Sequence, residues 1–155
     1  MPVRHIRKAT IHDVESLHRL ISKAAEMAPV IPRSRAALYE TIRDFYVYDE
    51  GEGVRGCCAL HIVWQDLAEI KSLSVDPALQ KNGIGTALVR ACLEEARKFK
   101  IPRIFALTAA VAFFEKLGFH TLDKGELPHK VWGDCVNCPK FPNCDEVAVQ
   151  FEMTC

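Results

Sequence analysis

No hydrophobic run in this chain approaches the length of a membrane span, and its opening Met1-Pro2-Val3-Arg4-His5-Ile6-Arg7-Lys8 lacks the apolar core of a signal peptide. The expected compartment is therefore the cytoplasm, with no membrane partner. An excess of charge is missing as well, because 20 basic and 20 acidic side chains cancel. Bulk charge therefore calls for neither nucleic acid nor an anionic surface as a partner. Internal repeats and low-complexity linkers are absent, and 155 residues are enough for one core but not two. Residues 1–155 are accordingly expected to form a single domain. Cysteine is not scarce, but its count of 7 is odd and does not suit a closed disulfide framework.

The patterning of what is present is that of a mixed α/β chain. Residues 4–8 predict a strand, and Thr10 with Asp13 predicts a capped helix start. Val14, Leu17, Leu20, Ile21 and Ala24 then recur at helical spacing until the Pro29–Pro32 break. Ser34 is placed as the cap of a second helix reaching about residue 44, with Leu38 and Ile42 on one face. Strands are expected at 45–48, 54–64 and 69–75, the first two joined by the turn Asp49-Glu50-Gly51-Glu52-Gly53. Beyond Asp76-Pro77 the apolar period lengthens, so Ile84, Ala87, Leu88, Ala91 and Cys92 mark a helix running to about Phe99. A strand at 103–107, a helix at 109–117 stopped by Gly118, a loop-rich stretch and a strand at 147–153 complete the order β-α-α-β-β-β-α-β-α-β. Early hairpins followed by strand–helix units imply a mixed sheet with helices on both faces.

Chemistry concentrates first at Gln80-Lys81-Asn82-Gly83-Ile84-Gly85, where a strand ends and a helix begins. Two glycines let backbone N–H groups approach a ligand, and a helix start adds roughly half a positive charge. The pair is equally compatible with a structural turn, and its spacing is neither that of a P-loop nor that of a dinucleotide fingerprint. In its context the segment resembles the Q/R-x-x-G-x-G/A motif of the GNAT superfamily of N-acetyltransferases. Leu73-Ser74-Val75-Asp76-Pro77 resembles that family's preceding strand, and Ala112-Phe113-Phe114-Glu115-Lys116-Leu117-Gly118-Phe119 its second signature.

This resemblance implies the GNAT fold, a splayed, mostly antiparallel central sheet with helices on both faces, and acetyl-CoA as co-substrate. The fourth and fifth strands would part to admit the pantetheine arm, paired to backbone groups of Leu73 and Val75, with Ser74 between them. Backbone N–H groups of Lys81, Asn82, Gly83, Ile84, Gly85 and Thr86, behind Gln80, would hold the pyrophosphate. Thr108, Phe113 and Phe114 complete the expected cofactor contacts. The N–H of Val75 is the expected donor to the thioester oxygen.

An amine of pKa ~8 is about nine-tenths charged at neutral pH and must lose a proton before it attacks. Glu69, six residues before Val75, stands where several members of the superfamily carry a glutamate base. Regular alternation would put Glu69, Lys71, Leu73 and Val75 on one face. The alternative for Glu69 is an edge-strand carboxylate paired with Lys71. One departure from the family is Phe114, where many members have a tyrosine thought to protonate the leaving thiolate; Tyr39, Tyr46 and Tyr48 all lie early in the chain. A thiol of pKa ~8.5 lies about 1.5 units above neutrality, roughly 2 kcal/mol, so solvent can assist its departure.

A closer resemblance narrows the acceptor. Pro32-Arg33-Ser34-Arg35, Gly56-Cys57-Cys58-Ala59-Leu60, Ala68-Glu69-Ile70, the Leu107-Thr108 step and Leu127-Pro128 are together similar to the acetyltransferase domain of N-acetylglutamate synthases, without the kinase domain that larger members carry. L-Glutamate is then the expected small-molecule substrate, which implies a role in arginine biosynthesis, and a homodimer is compatible with the reading. Guanidinium groups grip carboxylates in bidentate fashion. Arg33 and Arg35 are the leading candidates, followed by Lys71 and Lys130; each could equally be a solvated surface cation. Two other readings stay open: a GNAT enzyme acting on another amine or a peptide N-terminus, and a non-catalytic acetyl-CoA or redox sensor.

The last feature is Cys135, Cys138 and Cys144, a C-x2-C-x5-C spacing in a cysteine-rich loop at about 128–146. Two thiolates so spaced can meet one zinc ion, with His129, Asp145 or Cys155 completing the set. An iron–sulfur site, a redox pair and plain reduced thiols are the alternatives. Cys57, Cys58 and Cys92 are expected in the core.

Overall fold

The structure is a computed structural model that describes residues 5–27, 31–127 and 146–153. Among the described residues seven strands form one sheet in the order β1-β2-β3-β4-β5-β7-β6. They are β1 Ile6–Lys8, β2 Phe45–Asp49, β3 Val54–Trp64, β4 Leu67–Val75, β5 Arg103–Thr108, β6 His120–Leu122 and β7 Val147–Glu152. Among the described strands β4 and β5 pair in parallel and the other neighbours antiparallel. A parallel pair needs a long crossover, and helix α3, Ile84–Lys98, supplies it. The other α-helices among the described residues are α1 Val14–Met27, α2 Arg35–Glu40 and α4 Val111–Glu115.

Helices cover both faces, as expected. Buried residues of α3, including Ile84, Leu88, Val89 and Cys92, pack with Cys58, Leu60, Ile70, Ile104 and Phe114. On the opposite face Val14, Leu17 and Ile21 of α1 and Leu38 of α2 pack on Phe45, Val47, Cys57 and Ala59. Gly56 permits the close approach of α3, because a Cβ there would lie 3.3 Å from each of Ile84 Cγ2, Leu88 Cδ1 and Tyr48 Cβ. Cys57, Cys58 and Cys92 are buried thiols, in keeping with the core reading.

Local signals placed the helix ends. Thr10 and Asp13 form a capping box, here opening a 3-10 turn at Ile11–Asp13 that runs into α1. Ser34 Oγ accepts the N–H of Ala37 at 3.1 Å to start α2. Gly118, at φ +99°, ends α4 as a left-handed residue, with the Phe119 N–H returning to the Phe114 carbonyl at 3.1 Å. α4 itself begins later than the expected residue 109. Thr108 Oγ1 accepts the Ala110 N–H at 2.8 Å and holds the chain in a turn there.

Two expectations require correction. The stretch after Gly118 contains a short strand, β6, which pairs with β7 through His120↔Gln150 to Leu122↔Ala148. Its burial is slight, so no apolar alternation announced it. The second correction concerns β4. Cys57 pairs with Ser74 and Ala59 with Lys71, so one more residue lies between the pairs on β4 than on β3. This is a β-bulge at Ser72, which has φ +55°. The bulge inverts the alternation that follows. Lys71 faces Ala59 and the α1–α2 side, whereas Leu73 and Val75 pack against the α3 side. Glu69, Lys71, Leu73 and Val75 therefore do not share one face.

Candidate active site

The β4–β5 pairing is short. It comprises Leu67↔Arg103, Ala68↔Ile104 and Glu69↔Phe105, and there it stops. The rest of β4, from Ile70 to Val75, has no register partner on β5, so the strands part in a fork whose apex is Glu69. On its other side β4 remains paired with β3 up to Gly56↔Val75. Asp76 donates its N–H to the Arg55 carbonyl at 2.8 Å. Successive backbone groups of a strand point to opposite sides, so the N–H of Val75 is directed into the fork, and its carbonyl accepts Gln80 Nε2 at 3.2 Å.

The loop after β4 is shaped by two left-handed residues, Lys81 at φ +72° and Gly83 at φ +79°. Asp76 steadies the turn into it by accepting the Ala78 N–H at 2.9 Å. That bond, with help from Arg55, holds its carboxyl below the usual range. Gly83 is the N-cap of α3 and offers no side-chain cap. The first N–H groups of α3 thus carry no intrahelical partner and sit at the positive end of a 15-residue helix. Residues 80–83 are exposed, Ile84 is buried, and Gly85 and Thr86 are partly buried. Phe113 borders the same place: its Cζ would lie 3.5 Å from a Cβ built on Gly85, with Val75 Cγ2 at 4.0 Å. Phe114 is in the core, edge-on to Phe113 and Phe119. Backbone donors, a helix start and a cleft beside an aromatic wall suit a phosphorylated, extended ligand.

On the opposite face lies an open cavity of about 200 Å³, lined by Arg33, Thr41, Asp44, His61, Lys71 and Ser72 together with Ala37, Phe45 and Ala59. Glu69 is adjacent to it. It is 9% exposed and stands in register with His61 of β3 and Phe105 of β5, so all three point to this face. The bulge is pinned from below by Cys57, whose thiol donates to the Ser72 carbonyl at 3.2 Å; burial pushes that thiol up to about 12, which keeps it protonated. Ser74 points the other way from Leu73 and Val75, and its buried Oγ has no hydrogen-bond partner among the described residues.

The expected acceptor-site cations separate. Arg33 and Lys71 come together in the cavity wall. Arg35 instead bonds Glu15 at 2.8 Å on the exposed surface between α2 and α1. Lys130 and the cysteines at 135, 138 and 144 lie outside the described residues. Among the described residues no cluster of three or more potential metal ligands occurs, and no helix is long and apolar enough to cross a membrane. Sequence reading missed the Asp44–His61 pair, in which Nδ1 lies 2.9 Å from Oδ2. The two are 17 residues apart and meet only because the β2–β3 hairpin closes in the register Phe45↔Ala59.

A forked sheet ahead of an uncapped, glycine-bearing helix start defines the class, an acetyl-CoA-dependent acetyltransferase. The chain belongs to the Acetyltransferase (GNAT) family, whose model matches residues 13–119. It is 35% identical over 144 residues to an uncharacterized N-acetyltransferase of Chlorobaculum tepidum, covering 93% of each chain. It is also 35% identical over 121 residues to the amino-acid acetyltransferase of Mycobacterium tuberculosis, covering 76% of this chain and 69% of that one. Among solved structures, N-acetylglutamate synthase from Neisseria gonorrhoeae, complexed with coenzyme A and N-acetyl-glutamate, superposes with a TM-score of 0.86 at 28% identity. The match covers 97% of this chain but spans only 35% of the synthase.

Proposed function

We propose that the protein transfers the acetyl group of acetyl-CoA to the α-amino group of L-glutamate, with Glu69 as general base. The observation that carries this reading is the cavity in which Arg33 and Lys71 meet, on the sheet face to which Glu69 points. Glutamate brings two carboxylates and one ammonium group. Two cations, Arg33 and Lys71, match its two carboxylates, the buried Glu69 serves its ammonium group while Asp44 in the same wall is engaged with His61, and a guanidinium adds bidentate geometry. The amino-acid acetyltransferase and the glutamate-product complex among the relatives support the same acceptor, and with it a place in arginine biosynthesis.

In this reading the acetyl donor enters from the α3 face. The N–H groups of Lys81 to Thr86 bind its pyrophosphate, while backbone groups of Leu73 and Val75 pair with its pantetheine arm in the manner of an added strand. Phe113 walls the arm, Phe114 supports Phe113, and Thr108 shapes the turn beside them. The acceptor enters from the α1–α2 face, and the two meet at the apex of the fork. Glu69 takes a proton from the ammonium group, and the freed nitrogen attacks the thioester carbon; the second proton that this nitrogen sheds as the amide forms passes, through solvent, to the departing thiolate. The Val75 N–H stabilises the charge developing on the carbonyl oxygen as the C–S bond breaks and the thiolate leaves.

An acceptor screen read by thiol release tests the assignment. Release with L-glutamate, and little with polyamines or peptide N-termini, is expected. Release with a polyamine or peptide but not with glutamate would overturn the acceptor while leaving the family intact.

A further inference from the structure

A buried base that accepts a proton on every turnover must lose it again before the next. Glu69 is only 9% exposed, with β3 on one side and β5 on the other. Its direct neighbour across the β3–β4 ladder is His61, on the same face. Paired positions of this kind bring Cβ atoms to roughly 5 Å, close enough for the two side chains to exchange a proton directly or through one water. His61 lines the acceptor cavity, and 43% of its side chain is accessible to solvent. The ring is not left to rotate. Nδ1 lies 2.9 Å from Asp44 Oδ2, and a carboxylate only accepts, so Nδ1 carries the hydrogen and Nε2 is the nitrogen whose lone pair is available in the neutral ring.

We propose that His61, oriented by Asp44, takes the substrate-derived proton from Glu69 and delivers it to solvent. The inference rests on the reading of Glu69 as the base. The amine N–H bond breaks and the proton joins the Glu69 carboxylate. The carboxyl O–H then breaks as Nε2 of His61 takes the same proton. The resulting imidazolium, stabilised by the Asp44 carboxylate, releases it to water or a buffer base. No electrons are transferred, and both groups return to their starting forms. Among the described residues the charged groups facing His61 are Asp44 from the turn after α2, Arg33 from ahead of α2, and Glu69 and Lys71 from β4. Asp44 is a positioning residue in this scheme, because it acts only through the ring.

The test is steady-state turnover of His61→Ala with and without added imidazole. Expected is a fall in kcat of about 10²-fold with KM for the acceptor changed less than about twofold. Imidazole should restore kcat in proportion to its concentration, an effect a merely structural loss would not show. Asp44→Asn should lower kcat about tenfold or more by releasing the ring from its tautomer. Wild-type kcat in His61→Ala, or a fall that imidazole does not relieve while calorimetry shows coenzyme A still bound, overturns the proposal. Should the alanine variant lose coenzyme A binding, His61→Gln replaces it, and wild-type kcat in that variant is equally fatal. Wild-type protein that works on an amine other than glutamate overturns the acceptor assignment alone, and the His61 variants are then assayed with that amine. Unimpaired turnover in Glu69→Gln removes the base and the relay together.

Discussion

Lys71 and Leu73 stand two residues apart on β4 and face opposite sides of the sheet, because Ser72 between them holds φ +55° in a β-bulge. In the proposed function, this one residue lets a single strand serve the acceptor on one face and coenzyme A on the other. A β-branched side chain is strained in that conformation, at about 1–3 kcal/mol. Ser72→Val is therefore expected to lower the melting temperature and reduce turnover, and Ser72→Gly to keep both near wild type. Thermal unfolding and thiol release measure the two effects.

Glu69→Gln keeps the shape of the side chain and removes its basicity. A fall in kcat of about 10²–10⁴-fold is expected, because proton removal is lost while the coenzyme site is untouched. Coenzyme A affinity, measured by calorimetry, should stay within about twofold of wild type.

Arg33 and Arg35 are neighbours in sequence with different surroundings. Arg33 lines the cavity, whereas Arg35 is bonded to Glu15 with both side chains more than half exposed. Arg33→Ala should raise KM for glutamate about tenfold or more, in line with loss of a charge-assisted bond worth roughly 1.5–3 kcal/mol. Arg35→Ala should leave KM within about twofold. Equal effects in the two variants would remove Arg33 from the acceptor site.

Stability in acid depends in part on Asp13. Its carboxylate accepts Arg7 Nη1 at 2.8 Å and the Thr10 N–H at 2.7 Å, and the Arg7 bond foremost holds it below the usual range. A depressed folded-state pKa contributes stability above the unfolded value of ~3.9, and that contribution disappears as pH falls through the folded value. Asp13→Asn should thus cost about 1–3 kcal/mol at pH 7 and progressively less below about pH 4. Urea unfolding at both pH values would show the gap between wild type and variant closing in acid.

Helix starts and stops were legible because they are local. Thr10, Ser34 and Gly118 act on groups within five residues of themselves, so their types alone identified their roles. The apolar stripe of α3 was legible for the same reason, since its period belongs to one continuous segment. Strand β6 was not, because three lightly buried residues carry no alternation to read. The loop from Gln80 to Gly85 falls between: its glycines mark a turn at a helix start, left-handed at Gly83, but an anion site needs the uncapped N–H groups and the fork beside them.

The sequence by itself determined the order of elements apart from β6, the glycine-bearing start of α3 and the candidate carboxylate and guanidinium groups, because spacing and side-chain chemistry are properties of the chain. Which of these groups meet was decided only by tertiary structure. Arg33 and Lys71 share a cavity, Arg35 leaves for Glu15, and Asp44 reaches His61 across a hairpin. The physical reason is that register and bulges set which way a side chain points. A single left-handed residue at Ser72 reverses the face of everything after it on β4, and only its pairing with β3 reveals that reversal.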